Sequence, residues 1–212
     1  MSARLTSVRL LLLVALTGVF AVPVTASAET PADQITLEVV TVNGSGCPPG
    51  SAEVTTLPDN TGFRLTYRDF LARAGGGVAA TEFRKNCQVN ILVHIPQGFT
   101  FAVASADYRG RGRLEAGATG LQRTNYYFMG SSDNSYVDHS FAGPLFGTWS
   151  TTDATPVTEL VYAPCGESRN LNINTELRVD EGTLNANKTS SMSMRASDGN
   201  VDTIVHFAWK TC

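Results

Sequence analysis

Few reactive side chains in this sequence fall at spacings that catalysis uses. The three histidines, His94, His139 and His206, form neither an H-x-x-x-H nor an H-E-x-x-H pair, so no local zinc signature is present. His94 and His206 lie on the polar side of alternating segments, which favours positions at the surface or rim. The Gly-x-Ser-x-Gly elbow of α/β-hydrolases is absent as well. The residues identify no catalytic nucleophile, and we predict neither a bound metal ion nor another cofactor.

Carboxylates could perform acid–base chemistry only if the fold brings two of them together. Cleavage of a glycosidic bond needs two carboxyl groups about 5 to 10 Å apart, and sequence alone does not give that distance. The acidic residues that we consider for such a pair are Asp69, Asp107, Glu115, Asp133 and Asp138. They support an alternative hypothesis, in which the protein is an extracellular carbohydrate-active hydrolase or lyase.

One acidic segment begins like a calcium-binding loop. Asp198, Asn200 and Asp202 occupy the first, third and fifth positions of that motif. Thr203 stands where the motif has glycine, and Trp209 stands where it has glutamate. We therefore interpret this segment as a turn that precedes the last strand.

Alternating polar side chains provide the main candidate for a binding surface. Asn170, Asn172 and Asn174 occupy every second position of one predicted strand, so all three lie on the same face. Antiparallel sheets commonly turn a polar face to water, which is the structural alternative. Tyr108 and Arg109 are two further candidate ligand-binding residues, for which a structural corner is the alternative. The amide face would suit a carbohydrate if aromatic rings accompany it, and the aromatic candidates are Tyr126, Tyr127, Trp149 and Trp209.

The charge balance argues against nucleic acid and membrane surfaces as partners. The formal net charge of the chain is −3, and a mildly acidic protein lacks the cationic footprint that such binding needs. The basic cluster Arg109, Arg111 and Arg113 alternates along one strand face. A solvated strand face accounts for this cluster, and an anion-contacting stripe is the alternative.

The N-terminus predicts secretion. Arg4 and Arg9 precede an apolar run that ends at Ala21, and Ala28 closes a small-x-small cleavage site. The run is shorter than the roughly 20 apolar residues that a membrane-spanning helix needs. We therefore predict a signal peptide over residues 1–28 and a single secreted β domain over residues 29–212, outside the cell and free of the membrane. Cleavage removes two positive charges and takes the net charge from −3 to −5.

Four cysteines lie in the predicted mature part, at positions 47, 87, 165 and 212. An even number in a secreted chain predicts two disulfides, and the wide spacing argues against a zinc site. Loop entropy does not distinguish neighbour pairing from nested pairing. We predict Cys47–Cys87 and Cys165–Cys212, because this pairing keeps each bridge within one half of the chain.

Hydrophobic periodicity predicts an all-β fold. Period-two alternation recurs along the chain and is clearest over residues 170–179. About eight to ten such segments, separated by Gly, Pro and Asn turns, predict an antiparallel β-sandwich or a related barrel with two disulfides. Pro96-Gln97-Gly98 predicts a hairpin between the strands on either side. A short helical segment near residues 71–74 is an alternative to a strand there.

Several short signatures in order resemble a known family. The resemblance is to a family of small secreted proteins catalogued only as a domain of unknown function, and it covers nearly the whole predicted mature chain. It implies a secreted, cysteine-bridged domain and brings no catalytic residues with it. The signatures are Gly46-Cys47-Pro48-Pro49-Gly50-Ser51, Arg84-Lys85-Asn86-Cys87-Gln88-Val89, Pro96-Gln97-Gly98-Phe99, Asp107-Tyr108-Arg109-Gly110, Pro164-Cys165-Gly166, Leu171-Asn172-Ile173-Asn174 and Trp209-Lys210-Thr211-Cys212.

The leading functional hypothesis is a non-enzymatic extracellular binding or surface-associated protein. It rests on the polar sheet face and on the lack of a recognisable reactive centre, and its partner would be an extracellular polysaccharide or another protein. Besides the hydrolase or lyase above, a second alternative is a secreted inhibitor or toxin that presents the loop closed by Cys47 and Cys87. Asn43 and Asn187 are formal N-glycosylation acceptors, which matter if the host glycosylates secreted proteins.

Overall fold

The chain folds into strands that alternate between a buried and an exposed side. A computed structural model describes residues 30–131, 135–185, 187–195 and 202–212. The predicted signal peptide and residues 198–201 of the acidic segment lie outside this part of the chain. The strands are β1 Thr36–Asn43, β2 Ala52–Thr56, β3 Gly62–Tyr67, β4 Leu71–Ala74, β5 Arg84–His94, β6 Phe99–Leu114, β7 Thr119–Phe128, β8 Ser135–Ala142, β9 Leu145–Ala154, β10 Asn170–Asp180, β11 Ser190–Ser193 and β12 Thr203–Thr211.

The strands form two antiparallel sheets. The five-stranded sheet has the order β1-β5-β10-β7-β8. The seven-stranded sheet has the order β2-β3-β12-β6-β11-β4, and β9 pairs with the other edge of β6. Two 3-10 helices, Ala80–Glu82 and Val157–Glu159, interrupt the strands. In the part of the chain that the structure describes, no helix is long and apolar enough to cross a membrane.

The two sheets bury their apolar sides against each other, which confirms the all-β sandwich. In the five-stranded sheet β10 buries Leu171, Ile173 and Leu177. Phe128 of that sheet meets Phe101 of the seven-stranded sheet edge to face, with ring centroids 5.3 Å apart. Aromatic pairs of this geometry add about 0.5–1.5 kcal/mol to the free energy gained by burial alone. The sandwich is therefore held by the side chains that the period-two pattern places inward.

Both disulfides follow the predicted neighbour pairing. Cys47, in the loop after β1, is bonded to Cys87 of β5. Cys165, in the loop before β10, is bonded to the C-terminal Cys212. Each bridge closes a loop of about 40 to 47 residues, and the chain-entropy account assigns such a bridge about 4 kcal/mol. The second bridge also holds the end of β12, where a chain otherwise frays.

The predicted hairpin at residues 96–98 is wrong, because β5 and β6 belong to different sheets. The Phe99 amide does donate to the Pro96 carbonyl at 3.3 Å, so the chain turns there as predicted. However, β5 pairs with β1 and β10, and β6 pairs with β12, β9 and β11. Local turn residues reverse the chain without specifying its hydrogen-bond partners. Residues 71–74 form strand β4 and not a helix, and the side chains of Asn43 and Asn187 are exposed.

Candidate functional site

The asparagine row lies on the outer face of the five-stranded sheet, as the alternation predicts. Asn170 Nδ2 donates to Asn90 Oδ1 at 2.6 Å, and Asn90 Nδ2 donates to Asn172 Oδ1 at 2.8 Å. Asn172 is buried, and Asn174 is half-buried. The structure therefore brings Asn170 and Asn172 together through Asn90. Some of the donors and acceptors of these amides are already hydrogen-bonded within the row.

Two tyrosines accompany this amide row. Tyr127 lies opposite Asn172 in the β10–β7 register, and Tyr136 lies opposite Asn125 in the β7–β8 register. Tyr136 is 60% exposed. The other aromatic candidates are not on this face, because Trp149 and Trp209 are buried in the core and the Tyr126 side chain turns inward.

Tyr108 and Arg109 point to opposite sides of β6. Tyr108 is fully buried between the sheets, whereas Arg109 is exposed on the outer face of the seven-stranded sheet. Neither residue meets the asparagine row, which lies on the outer face of the other sheet. The five candidate ligand-binding residues thus occupy three separate places.

Three of the acidic residues considered for a catalytic pair are engaged by different partners, and Asp69 is exposed. Asp107 accepts hydrogen bonds from Thr152 Oγ1 at 2.6 Å and from His206 Nε2 at 3.0 Å. Glu115 lies 3.7 Å from Arg113 and 3.5 Å from Lys188. Arg123 binds both carboxylate oxygens of Asp138, at 2.6 and 2.5 Å. Asp133 lies outside the described residues. No group of three His, Cys, Asp or Glu side chains within the described ranges is placed to hold a metal ion.

A pocket lies between the two sheets. It has a volume of about 230 Å³ and lies among β6, β7, β8, β9, β10 and the segment after β9. Its polar side chains include Tyr126, Asp153 and Glu159. Its apolar walls are formed by Val103, Phe128, Val137, Val161 and Leu171. An apolar pocket with a few convergent polar groups is the usual form of a small-molecule site.

A chain of hydrogen bonds reaches this pocket through four strands. His139 Nε2 of β8 lies 2.6 Å from Asp153 Oδ1 of β9, and the Tyr126 hydroxyl of β7 donates to Asp153 Oδ2 at 2.8 Å. The hydroxyl of Tyr108 in β6 is hydrogen-bonded to the hydroxyl of Tyr126. An ionised Asp153 can only accept hydrogen bonds, so the Tyr126 hydroxyl donates its proton to Asp153. The Tyr108 hydroxyl must then donate to the Tyr126 oxygen.

Burial raises the pKa of the Asp153 carboxyl above its usual range, even though the bonds from His139 and Tyr126 favour the charged form. Asp153 is only 5% exposed. Burial also raises the pKa values of Tyr126 and Tyr108 well above their usual range, so both hydroxyls keep their protons. Asp153 is thus a desolvated carboxylate that meets no Arg or Lys in the described structure.

Glu176 is a second buried carboxylate, on the outer face of the five-stranded sheet. Its Oε2 accepts a hydrogen bond from Arg84 Nε at 2.6 Å, and its Oε1 accepts one from Arg178 at 2.6 Å. Burial alone would raise the pKa of Glu176, but the hydrogen bonds from Arg84 and Arg178 outweigh burial and hold that pKa below its usual range. Two cations, Arg84 of the neighbouring strand β5 and Arg178 of β10 itself, therefore neutralise this carboxylate.

Sequence reasoning named Tyr126 and Tyr108 as candidates but did not find Asp153 or Glu159 of the pocket. Asp153 occupies an inward position of β9 and shares that side of the strand with the buried Trp149. An acidic residue at an inward position was the sequence feature that could have indicated the pocket. His139 lies between the half-buried Val137 and Phe141 on the inward side of β8. No motif connects these positions, because their partners come from separate strands.

The fold and the pocket define an all-β, disulfide-bonded sandwich with a ligand-sized space between its sheets. The sequence profile of a family described as a domain of unknown function (DUF4360) matches residues 33–212. The chain belongs to this family. It is also 35% identical over 180 residues to a protein of Arthroderma benhamiae named as an uncharacterized secreted protein, with 85% of this chain and 73% of the relative aligned.

Solved structures resemble the chain only weakly. The enzymatically active domain of bacteriophage CBA120 tailspike protein 4 is 12% identical, with a TM-score of 0.24 over 84% of this chain. The GH31 alpha-xylosidase of Xanthomonas citri is 8% identical, with a TM-score of 0.17 over 87% of this chain. The chain covers 19% and 25% of those two proteins, respectively. Similarity at this level carries no argument about function.

Proposed function

We propose that the protein is a secreted, non-enzymatic binding protein and that its ligand enters the pocket between the sheets. The observation that carries this proposal is the pocket itself, in which five apolar side chains surround a buried carboxylate. Such a site gains affinity from the apolar surface removed from water, and its few polar groups orient the ligand.

Secretion is part of the same proposal. A signal peptide over residues 1–28 would release residues 29–212 as a single domain, and a relative that is 35% identical is named as secreted. The two disulfides support an oxidising destination, because thiols stay reduced in the cytosol. Mass spectrometry of the exported protein tests this part: the expected N-terminus is Glu29, and retention of residues 1–28 contradicts it.

The size of the pocket limits the ligand. A volume of about 230 Å³ equals the space of roughly eight water molecules at about 30 Å³ each. A ligand of about that many heavy atoms, with an apolar body, fits this space. A polymer would leave most of its length outside.

A matched pair of valine variants tests the pocket. Val161 lines it and is 45% exposed, whereas Val157, four residues earlier, is 84% exposed and not part of the lining. With an apolar fluorescent dye as the probe, we expect Val161→Gln to weaken binding about fivefold, since a half-buried valine contributes about 1 kcal/mol. Val157→Gln should bind like the wild type. Equal affinity in all three proteins, or no saturable binding, contradicts the proposal.

Carbohydrate binding on the outer face of the five-stranded sheet is a second candidate. It is favoured by the exposed ring of Tyr136 beside the amides of that face. Retention on immobilised polysaccharides or cell-wall fractions should then be lost in Tyr136→Ala. It should persist in Phe146→Ala, where an equally exposed ring is removed from the other sheet. Failure of the wild type to be retained on any of these polymers removes this candidate.

A further inference from the structure

We infer that the pocket between the sheets selects a cationic ligand, namely a small primary amine with an apolar body. This inference rests on the proposed binding function of the pocket and names the chemical class of its ligand. It follows from the charges around the pocket, from the direction of the hydrogen bonds at Asp153, and from the apolar walls.

The charged groups that line the pocket are acidic. Asp153 and Glu159 carry its carboxylates, and among the described lining residues there is no Lys or Arg. The charged or titratable groups that touch Asp153 in the described structure are His139 from β8 and Tyr126 from β7, with Tyr108 of β6 behind Tyr126. Glu159, which is exposed to solvent, adds a second negative charge to that of Asp153. A cation is therefore attracted, and a ligand carboxylate is repelled.

The hydrogen bonds at Asp153 all run toward its carboxylate. The Tyr126 hydroxyl and the His139 ring each engage one oxygen, and the Tyr108 hydroxyl donates to Tyr126. A carboxylate accepts about four hydrogen bonds, so each oxygen keeps one unused acceptor position. The Tyr126 proton is already donated to Asp153 and the Tyr108 proton to Tyr126, so neither hydroxyl offers a donor to a ligand at Asp153. A ligand that binds Asp153 must then bring the donor, and an ammonium group brings three.

The desolvation of Asp153 strengthens this preference. Burial raises its pKa, which means that the charged carboxylate is disfavoured without a further partner. An ammonium group that enters the pocket supplies that partner, because it brings a positive charge as well as three donors. An alcohol of the same length would fill the same apolar walls, but it would donate a single hydrogen bond and leave the charge of the carboxylate without a counter-charge.

Three six-carbon ligands with different head groups test the inference: hexylamine, hexanol and hexanoate, titrated calorimetrically into the mature, oxidised protein at pH 7. We expect hexylamine to bind about tenfold more tightly than hexanol, with no measurable binding of hexanoate. If hexanol or hexanoate binds as tightly as hexylamine, the inference is wrong, although the proposed pocket stands. If none of the three ligands nor the apolar dye binds, the proposed function itself is wrong.

Two carboxylate variants assign the selectivity to this pocket. Asp153→Asn and Glu159→Gln should each reduce the preference for hexylamine over hexanol by at least about threefold, while hexanol affinity stays within about twofold. Glu167→Gln removes an exposed carboxylate that is paired with Arg169 and should leave the preference unchanged. If Asp153→Asn does not fold, Glu159→Gln and the wild-type ligand series still decide. An unchanged preference in Glu159→Gln and in folded Asp153→Asn overturns the inference.

Discussion

Glu176 and Asp153, two of the three buried carboxylates of the described residues, have opposite surroundings, and the third is Glu115. Glu176 faces outward from the five-stranded sheet, and Arg84 and Arg178 each donate to one of its oxygens. Asp153 faces the space between the sheets and receives its bonds from Tyr126 and His139. The pKa of Glu176 is held below its usual range, whereas that of Asp153 is raised by burial.

This difference indicates that Glu176 is a structural carboxylate, whereas Asp153 is free to bind a ligand. Glu176 is already neutralised by two fixed guanidinium groups of its own sheet, so it stabilises the native state and offers little to a ligand. Among the described residues Asp153 has no arginine or lysine partner, and it keeps unused acceptor positions beside an apolar cavity. We therefore expect changes at Glu176 to affect stability, and changes at Asp153 to affect binding.

The largest change in the free energy of unfolding is expected for Glu176→Gln. It leaves Arg84 and Arg178 without their anion, and hydrogen bonds to charged groups contribute about 1.5–3 kcal/mol. Both arginines are more than a third exposed, so water recovers part of this loss and we expect about 1–2 kcal/mol of destabilisation. Urea denaturation at pH 7 measures it. Glu167→Gln is the control, because the Glu167–Arg169 pair is exposed and contributes about 0–1 kcal/mol. Equal losses in both variants would contradict the structural role of Glu176.

A smaller effect of opposite sign is expected for Asp153→Asn. The neutral amide removes the cost of burying a charge while its oxygen still accepts the Tyr126 hydrogen bond. The free energy of unfolding at pH 7 should be unchanged or higher by up to about 1 kcal/mol. The same denaturation experiment applies, and a loss above about 2 kcal/mol would show that Asp153 is structural in the same sense as Glu176.

The pH dependence of these two variants should diverge. The raised pKa of Asp153 means that its protonated form is favoured in the fold, so its contribution is present at low pH and lost as pH rises through the folded-state pKa. The lowered pKa of Glu176 has the reverse consequence: its contribution is present above the usual glutamate pKa and lost as pH falls through the folded-state value.

As the pH falls from 7 to 3, the free energy of unfolding of the wild type should therefore rise relative to that of Asp153→Asn. Over the same range it should fall relative to that of Glu176→Gln. Thermal or urea unfolding of the three proteins at a series of pH values measures both curves. Parallel curves for the two variants would remove the distinction between the carboxylates.

Salt should give the smallest effect. The arginines around Glu176 are partly exposed, so raising ionic strength from 0.05 to 0.5 M should reduce the effect of Glu176→Gln by a few tenths of a kcal/mol. The enclosed Asp153 should respond less. A larger salt response for Asp153→Asn than for Glu176→Gln would indicate that solvent reaches the pocket carboxylate more freely than its burial implies.

Much of the fold follows from local pattern. The alternation over residues 170–179 predicts β10, and the same alternation places Asn170, Asn172 and Asn174 on one outer face. The preference for bridges within one half of the chain also predicts both disulfides correctly. The turn at residues 96–98 is predicted, yet its strands enter different sheets. A turn motif describes a few dihedral angles, and strand pairing is decided by contacts far away in the chain.

The pocket is beyond the reach of such patterns. His139, Asp153, Tyr126 and Tyr108 belong to four strands in two sheets, and they meet only because those sheets stack. Each residue alone resembles an ordinary member of an alternating strand. A carboxylate on the inward phase of β9 was the one local sign of an unusual environment, since buried carboxylates need partners that the sequence does not identify.

The most direct test of the account is a ¹³C NMR titration that follows the side-chain carboxyl signals of Asp153 and Glu176 in one sample. We predict that the Asp153 carboxyl titrates above the usual aspartate range and the Glu176 carboxyl below the usual glutamate range. Addition of hexylamine should lower the pKa of Asp153 and leave that of Glu176 unchanged. Two results would contradict the claim that Asp153 is a desolvated carboxylate available to a cationic ligand. One is an Asp153 signal that titrates at or below the usual range, and the other is an Asp153 pKa that does not change when hexylamine binds.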